Sequence, residues 1–416
     1  RLRFRKNGGT TLAEFVYDET TGGFGGYSGV GRRTTMKFGP SLTNMVKSYY
    51  DQRGRVVKTD HLLDGTTYTV FAAYDDLDRV ISLTQPNGEV VKYRYGDHGQ
   101  PVAMESSVRG LIVSNATYNA LGKPYDLTLG NGLSTQYRYW GIDYTTYGNA
   151  HYGLLRSIDT GSPQSLTYDY DAKGNVTWLR DGRNGGEEIT FGYDDLDRLI
   201  AASSGLFSET YGYNQIGNFT SKGGVSYSYP SGGNPRPHAP TAVGGNSYGY
   251  DANGNLTSAE ARTYGYDVEN RLTSVSGAGL PSRTFAYDAG GVLRTMSESG
   301  SPKMRYVTPD YQVNVATGEA TVYYRFGGRA VAWRNNTTLR YLLGDHLSSS
   351  HGELDNQTDM AQRRYYPFGS DRPVSGANDL TRDERFTGQK RIEAGGGYAR
   401  RELYHYGGRA YLPGVG

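Results

Sequence analysis

With 416 residues, 44 Lys and Arg against 42 Asp and Glu, and no cysteine, the chain is near neutral at +2, which names neither nucleic acid nor an acidic membrane surface as a partner. No run of about 18 apolar residues is present to span a bilayer, and disulfides, thiolate metal sites and cysteine nucleophiles are excluded together. The 59 Gly and 38 Tyr, against 12 Phe, point to an all-β, turn-dense architecture whose half-wet strand faces suit a ring that carries a hydroxyl.

The opening RLRFRKNGGT lacks the apolar core of a signal peptide, and residues 1–45 read as a degenerate repeat cut from something longer. Over residues 46–340 one pattern recurs ten times, anchored at Tyr50, Tyr74, Tyr95, Tyr118, Tyr170, Tyr193, Tyr213, Tyr250, Tyr266 and Tyr287. Such internal repetition outranks every other signal in the sequence. The residue after the anchor is Asp in seven copies, Asn119 and Asn214 in two, and Gly96 in one. Four after it stand Gly54, Asp78, Gly99, Gly122, Gly174, Asp197, Gly217, Gly254, Asn270 and Gly291, all types that tolerate positive φ. Six after it the chain returns to Val, Leu or Phe, with Pro101 and Pro124 as exceptions. An Asp or Asn side chain accepting a backbone N–H two residues on would open a turn, and the left-handed residue would close it. The spacing therefore predicts strand, short hairpin turn, strand.

Two residues before the anchor, seven copies carry a second aromatic: Tyr93, Tyr168, Phe191, Tyr211, Tyr248, Tyr264 and Phe285. Residues i and i−2 share a strand face, so stacked hairpins would carry rows of rings. The long gaps from Tyr118 to Tyr170 and from Tyr213 to Tyr250 are expected to hold degenerate copies or insertions. The second includes PSGGNPRPHAP, residues 230–240, whose prolines exclude a central strand and predict an excursion loop.

Copies such as YDAKGNVT (170–177), YDDLDRLIA (193–201) and YDANGNLTS (250–258) resemble the tyrosine-aspartate repeats of the Rhs family. In the tail, YLLGDHLSSS (341–350) resembles the family's aspartate-histidine-leucine element, with Ser348 where glycine is usual, and RYYPFG (364–369) and RFTGQ (385–389) follow in family order. GGRAYLPGVG (407–416) resembles the start of the Rhs core terminus, through Arg409, Ala410, Tyr411, Pro413 and Gly416, with Leu412 where many members have Asp. By this resemblance residues 46–340 form a YD-repeat ribbon spiralling into a hollow shell. Residues 341–416 form the core-associated terminal cap, ending before the family's self-cleavage region.

The resemblance implies a structural shell segment of an exported, secreted or cell-surface protein that encapsulates and delivers a C-terminal toxin domain. Its partners would be that effector domain of the same polypeptide, and upstream repeats or a shell partner protein. The rival expectation is an extracellular adhesion or matrix protein whose aromatic rows bind glycans or other copies of itself.

No catalytic, cofactor-binding or metal-ligating residue is assigned. Asp345, His346 and Ser348 to Ser350 hold the residue types of a serine hydrolase, but adjacency is not triad geometry and no GxSxG elbow is present. Among the histidines (His61, His98, His151, His238, His346, His351, His405) only His346 and His351 are close, without an accompanying acidic pattern. Asp169, Asp171 and Gly174 mimic a calcium loop, yet Lys173 and Arg180 stand where ligands belong. GGFGGYSGVG (22–31) matches no phosphate loop and reads as a flexible turn.

Ten two-strand repeats at about 4.8 Å per strand make a ribbon roughly 100 Å wide, which closed in one ring leaves almost no lumen. The segment is therefore expected to be part of a longer spiral, open at its N-terminal edge where upstream repeats would pair. The tail from Tyr341 is expected to fold inward or across the opening as a plug.

Overall fold

A computed structural model describes residues 1–20, 29–143, 151–183, 185–277, 279–372, 374, 380, 383–393, 403–406 and 409–413. Of the glycine-rich stretch 22–31, residues 22–28 lie outside the described set, as do Gly407, Gly408 and residues 414–416 of the terminal motif. The described residues form a 34-stranded antiparallel sheet running from Phe4–Asn7 to Thr358–Gln362, with two single-turn 3-10 segments and no α-helix. Successive strands pair with their sequence neighbours throughout. Among the described residues the sheet does not close: Phe4–Asn7 pairs only with Thr10–Tyr17, and Thr358–Gln362 only with Ser350–Asp355.

Each of the ten anchors lies opposite the residue six positions on, from Tyr50 facing Val56 to Tyr287 facing Leu293, and in each hairpin the register slips beside the anchor. The cause is one turn used repeatedly. At Asp194 the carboxylate Oδ1 accepts the N–H groups of Leu196 and Arg198 at 3.0 Å each, while its own N–H donates to the Arg198 carbonyl at 3.0 Å. The closing residue takes positive φ in all ten copies, from 59° at Asp197 and Asn270 to 93° at Gly174. That geometry places one more residue on the returning strand than on the outgoing one, which is a bulge.

The residue five after the anchor, to which the sequence assigned nothing, ties the turn to its neighbour. Arg55, Arg79, Arg198 and Arg271 each donate Nε to their own turn's Asp at 2.6 to 2.8 Å. Their guanidinium carbons then sit 4.6 to 5.1 Å from the ring centroid of the next anchor, over Tyr74, Tyr95, Tyr213 and Tyr287.

The anchor hydroxyl completes the link. Tyr74 donates to the Val56 carbonyl at 2.8 Å, Tyr95 to Val80 at 2.8 Å, Tyr193 to Val176 at 2.8 Å and Tyr213 to Leu199 at 2.8 Å. Each hydroxyl thus reads the position six after the previous anchor. This explains the two prolines. Pro101 and Pro124 open their strands beside the bulge and keep the carbonyls that accept Tyr118 and Tyr139, so a missing N–H is tolerated there.

The first long gap contains a degenerate copy: Tyr139 occupies the anchor position and makes the usual bond to Pro124 at 2.8 Å. In the second gap, residues 229–241 form a strandless excursion, and its Pro240 carbonyl still accepts the Tyr250 hydroxyl at 3.0 Å. Near the N-terminus, Tyr17 lies opposite Arg33, and Arg33 supplies the carbonyl for Tyr50 at 2.6 Å.

The ribbon winds until its later strands meet its early turns. Arg305 lies 3.2 Å from the Tyr68 hydroxyl, Arg334 pairs with Glu89, Gln357 donates to the Asn131 carbonyl at 2.8 Å and Gln164 to Gly344 at 3.1 Å. A shared apolar cluster follows, joining Phe15, Met36, Leu63, Met104 and Ile112 to Val307, Tyr324, Leu343 and Leu354.

The tail departs from expectation. It was expected to leave the ribbon from Tyr341, but strands Leu339–Gly344, Ser350–Asp355 and Thr358–Gln362 remain in the ladder, and departure begins at Arg364. The reason is that the aspartate-histidine-leucine element is itself the repeat's turn: Gly344 faces Ser350, Asp345 Oδ1 accepts Leu347 and Ser349 N–H at 2.9 and 2.8 Å, and Ser348 closes with φ 66°. The next two motifs reuse the same turn outside the ribbon. Tyr365 faces Asp371 with Gly369 at φ 88°, and Glu384 bridges Lys390 with Gly388 at φ 70°.

Replacing Gly174 or Gly254 by Val tests the turn. An added Cβ would meet nothing closer than 4.0 Å at Gly174 and 3.7 Å at Gly254, so the cost arises from φ of 93° and 88° and not from a clash. Each variant should lose about 1 kcal/mol or more in denaturant unfolding, whereas Asp197→Gly, which relieves the same conformation while giving up the exposed pair with Lys173, should lose less.

Candidate functional site: the aromatic face and its docked tail

The ring rows decide which face of the ribbon is covered. Tyr168, Tyr211, Tyr248, Tyr264 and Phe285 are buried, deeper than most of the anchors beside them. Residues of the tail lie on this face: Ile392, Leu403 and Leu412 pack among Tyr248, Tyr264, Phe285 and Tyr287. Phe368 meets Tyr211 and Phe219 edge-on at 5.1 Å, and His405 stacks on Tyr287 at 5.7 Å. Backbone groups of the tail are also held, with Lys222 donating to the Pro413 carbonyl and Arg283 to that of Ile392.

Two buried electrostatic clusters join distant parts of the chain. At the first, Glu89 accepts from Ser106, from the Tyr324 hydroxyl and from Arg334, whose Nε lies 2.8 Å away. Burial, then the Glu89 carboxylate, pushes the Tyr324 hydroxyl well up. At the second, Asp181 pairs with Arg364, and Glu187 takes Arg372 Nη1 on both oxygens at 2.8 and 2.9 Å. One cluster fastens winding to winding and the other fastens the tail to the ribbon.

The residues with catalytic or ligating chemistry are dispersed or engaged. Asp345 serves its turn, and burial raises its carboxyl pKa. His346 faces Tyr168 with centroids 4.7 Å apart, and burial keeps its ring neutral. Ser349 Oγ accepts the Thr387 N–H at 3.1 Å, and Ser350 Oγ donates to the Glu384 carbonyl at 2.8 Å. His351 points elsewhere, with Nε2 3.7 Å from Asp181. His405 is lowered to about 4 by burial and then Lys390, and His61 to about 4 by burial and then Arg294. His151 lies against Trp140 and Tyr170, His238 bonds Asn218 at 2.7 Å, and His98 is exposed. In the would-be calcium loop Asp171 is a turn carboxylate and Lys173 pairs with Asp197 at 2.8 Å. Among the described residues no group of three or more His, Asp and Glu is placed to hold a metal ion. A cavity of about 390 Å³ lies where early strands, late strands and the Glu384–Gln389 turn converge, lined by Tyr137, Gln164, Arg329 and Asp345 among others.

Residues 74–110 match the family model described as RHS Repeat. No curated protein matches the sequence. Among solved structures the chain is similar to TcdB2-TccC3, with a TM-score of 0.75 at 18% identity, covering 97% of this chain and 24% of that one. It is similar also to TcdB2-TccC3 without its hypervariable C-terminal region (TM-score 0.64, 17% identity, 97% and 23% covered). A mutant Photorhabdus luminescens Tc holotoxin pore gives a TM-score of 0.64 at 17% identity, with 98% and 23% covered. The chain thus spans about a quarter of the length of these chains, and what it shares with them is the fold.

The Glu89 cluster yields a double-mutant test. Glu89→Gln leaves Arg334 buried and uncompensated and should cost about 3 kcal/mol in denaturant unfolding. Glu89→Met combined with Arg334→Met removes both charges and should recover most of that loss.

Proposed function

We propose that the chain, which matches the RHS Repeat model over residues 74–110 and shares its fold with TcdB2-TccC3, is a Rhs-type wall segment of an exported shell that encloses and delivers a C-terminal toxin domain of the same polypeptide. The observation that carries this reading is the path of the tail. After Gln362 the chain leaves the ribbon and lies on the aromatic face, down to Leu412 among Tyr248, Tyr264 and Phe285. A domain joined beyond this segment would begin on that face, which is the side a shell wall turns toward its contents. The remaining wall would come from upstream repeats or a shell partner protein pairing at the strand Phe4–Asn7, whose second edge has no ladder partner among the described residues. The adhesive alternative relied on aromatic rows displayed to glycans or to other copies, and five of the seven rings two before the anchor are buried, with Tyr93 and Phe191 half-buried.

Protease protection of the full natural polypeptide, assembled with any shell partner, tests the proposal. Sequence following Gly416 should survive digestion natively and be cut once denaturant opens the ribbon. Digestion at the same rate in both conditions, or a polypeptide with no folded domain after Gly416, would contradict it.

A further inference from the structure

Lys390 brings an amine against an amide in an aromatic enclosure between the tail and the ribbon. It opens the tail strand Lys390–Glu393, while Gln312 sits in the ribbon strand Tyr311–Asn314 with a ladder partner on either side. Lys390 Nζ donates to Gln312 Oε1 at 2.6 Å. A carbonyl bond of about 1.2 Å then leaves Nζ within about 4 Å of Cδ, close to attack distance. Two rings flank the pair: Nζ lies 4.9 Å from the Tyr306 centroid and 5.3 Å from that of Tyr323, whose hydroxyl accepts the Gln312 Nε2–H at 3.3 Å. Gln312, Tyr306, Tyr323 and Glu384 are all buried. Glu384 faces Lys390 across an antiparallel bridge, so the two side chains leave the backbone on the same side. Glu384 Oε1 takes Arg325 Nη2 at 2.6 Å, and Asp310 takes Arg325 Nε at 3.0 Å.

We propose that Lys390 and Gln312 join spontaneously in an intramolecular isopeptide bond, which sews the tail covalently to the ribbon. Glu384 takes one proton from the Lys390 ammonium, and the freed Nζ attacks Gln312 Cδ. The Nζ–Cδ bond forms and the Cδ–Nε2 bond breaks. Nζ gives up two protons in all, one of them by way of Glu384, and both depart with Nε2 as ammonium, so that Glu384 is restored. No oxidant or co-reactant enters. The fold has already fixed both reacting groups, which amounts to an effective concentration of about 10⁵ M or more. Burial favours the uncharged amine and denies water the competing attack on the same carbon. Lys390 and Gln312 lie 78 residues apart, so the bond would restrict the unfolded chain as a disulfide does, in a sequence with no cysteine. The bond concerns the seam between tail and ribbon and holds whether or not the shell encloses a toxin domain.

Peptide mapping of the full natural polypeptide, denatured and digested with trypsin, reads the bond. Residues 306–325 should be recovered joined to residues 386–391, lighter than the two peptides together by one ammonia, about 17 Da. Lys390→Arg keeps a cation over the rings and should yield the two peptides apart. Glu384→Gln should slow formation of the bond about 100-fold or more in freshly made protein. Separate recovery of both peptides from folded, aged natural protein would overturn the proposal. So would a chain lighter by one ammonia without the branched peptide, because a succinimide at Asn253-Gly254 loses the same mass. An unchanged rate in Glu384→Gln would overturn the step as written. Should either variant fail to fold, the map of the natural chain decides alone.

Discussion

The structure depends on one five-residue turn in which a side-chain oxygen takes two backbone N–H groups and a left-handed residue closes the loop. In nine copies the oxygen sits directly after the anchor, Gly96 keeping the turn through its backbone alone, and in all ten the left-handed residue stands three further on, so the two strands enter with a fixed register and a fixed bulge. That bulge aims the anchor hydroxyl at the preceding hairpin's carbonyl, as Tyr193 reaches Val176 and Tyr213 reaches Leu199. Each hairpin is thereby bonded sideways to the one before it by more than its ladder of N–H groups. Arg198 adds to this coupling by bonding Asp194 while lying on the Tyr213 ring.

What the sequence made legible followed from how local the constraint is. Asp and Gly at fixed offsets report a backbone geometry that almost nothing else satisfies, and both the hairpins and the closing residues could be placed from them. The aromatic rows were legible for the same reason, since strand faces have period two. The role of the residue five after the anchor was hidden, because Arg and Asn fill it by different means: Arg55 reaches the next ring, whereas Asn175 and Asn255 bond their own turn's Asp and the closing residue of the next turn, Asp197 and Asn270. The tail's use of the same turn is hidden because the anchor tyrosine is lost there. Gly344 and Glu384 replace tyrosine there, and the signal that survives is the left-handed residue four later, Ser348 or Gly388. Winding contacts such as Glu89 with Arg334 lie at no fixed spacing and are set by the curvature of the whole ribbon.

The two classes of contact divide the energetics. Turn carboxylates are near solvent and are held ionised by adjacent donors, so their influence is short-ranged and repeats along the chain. The pairs that join winding to winding and tail to ribbon are few, buried and rich in arginine, where removing one partner leaves an unmatched charge. A repeat array of this kind gains stability from each neighbour, while its global shape rests on a handful of distant closures.

Native-state hydrogen exchange on Asp194→Ala tests the central claim, that the turn is the coupling unit of the ribbon. Protection should fall across residues 193–199 and in the hairpin of Tyr213, which loses its anchored arginine, and should be unchanged in the hairpin of Tyr250. A uniform loss along the ribbon, or no loss beyond the mutated turn itself, would contradict the account.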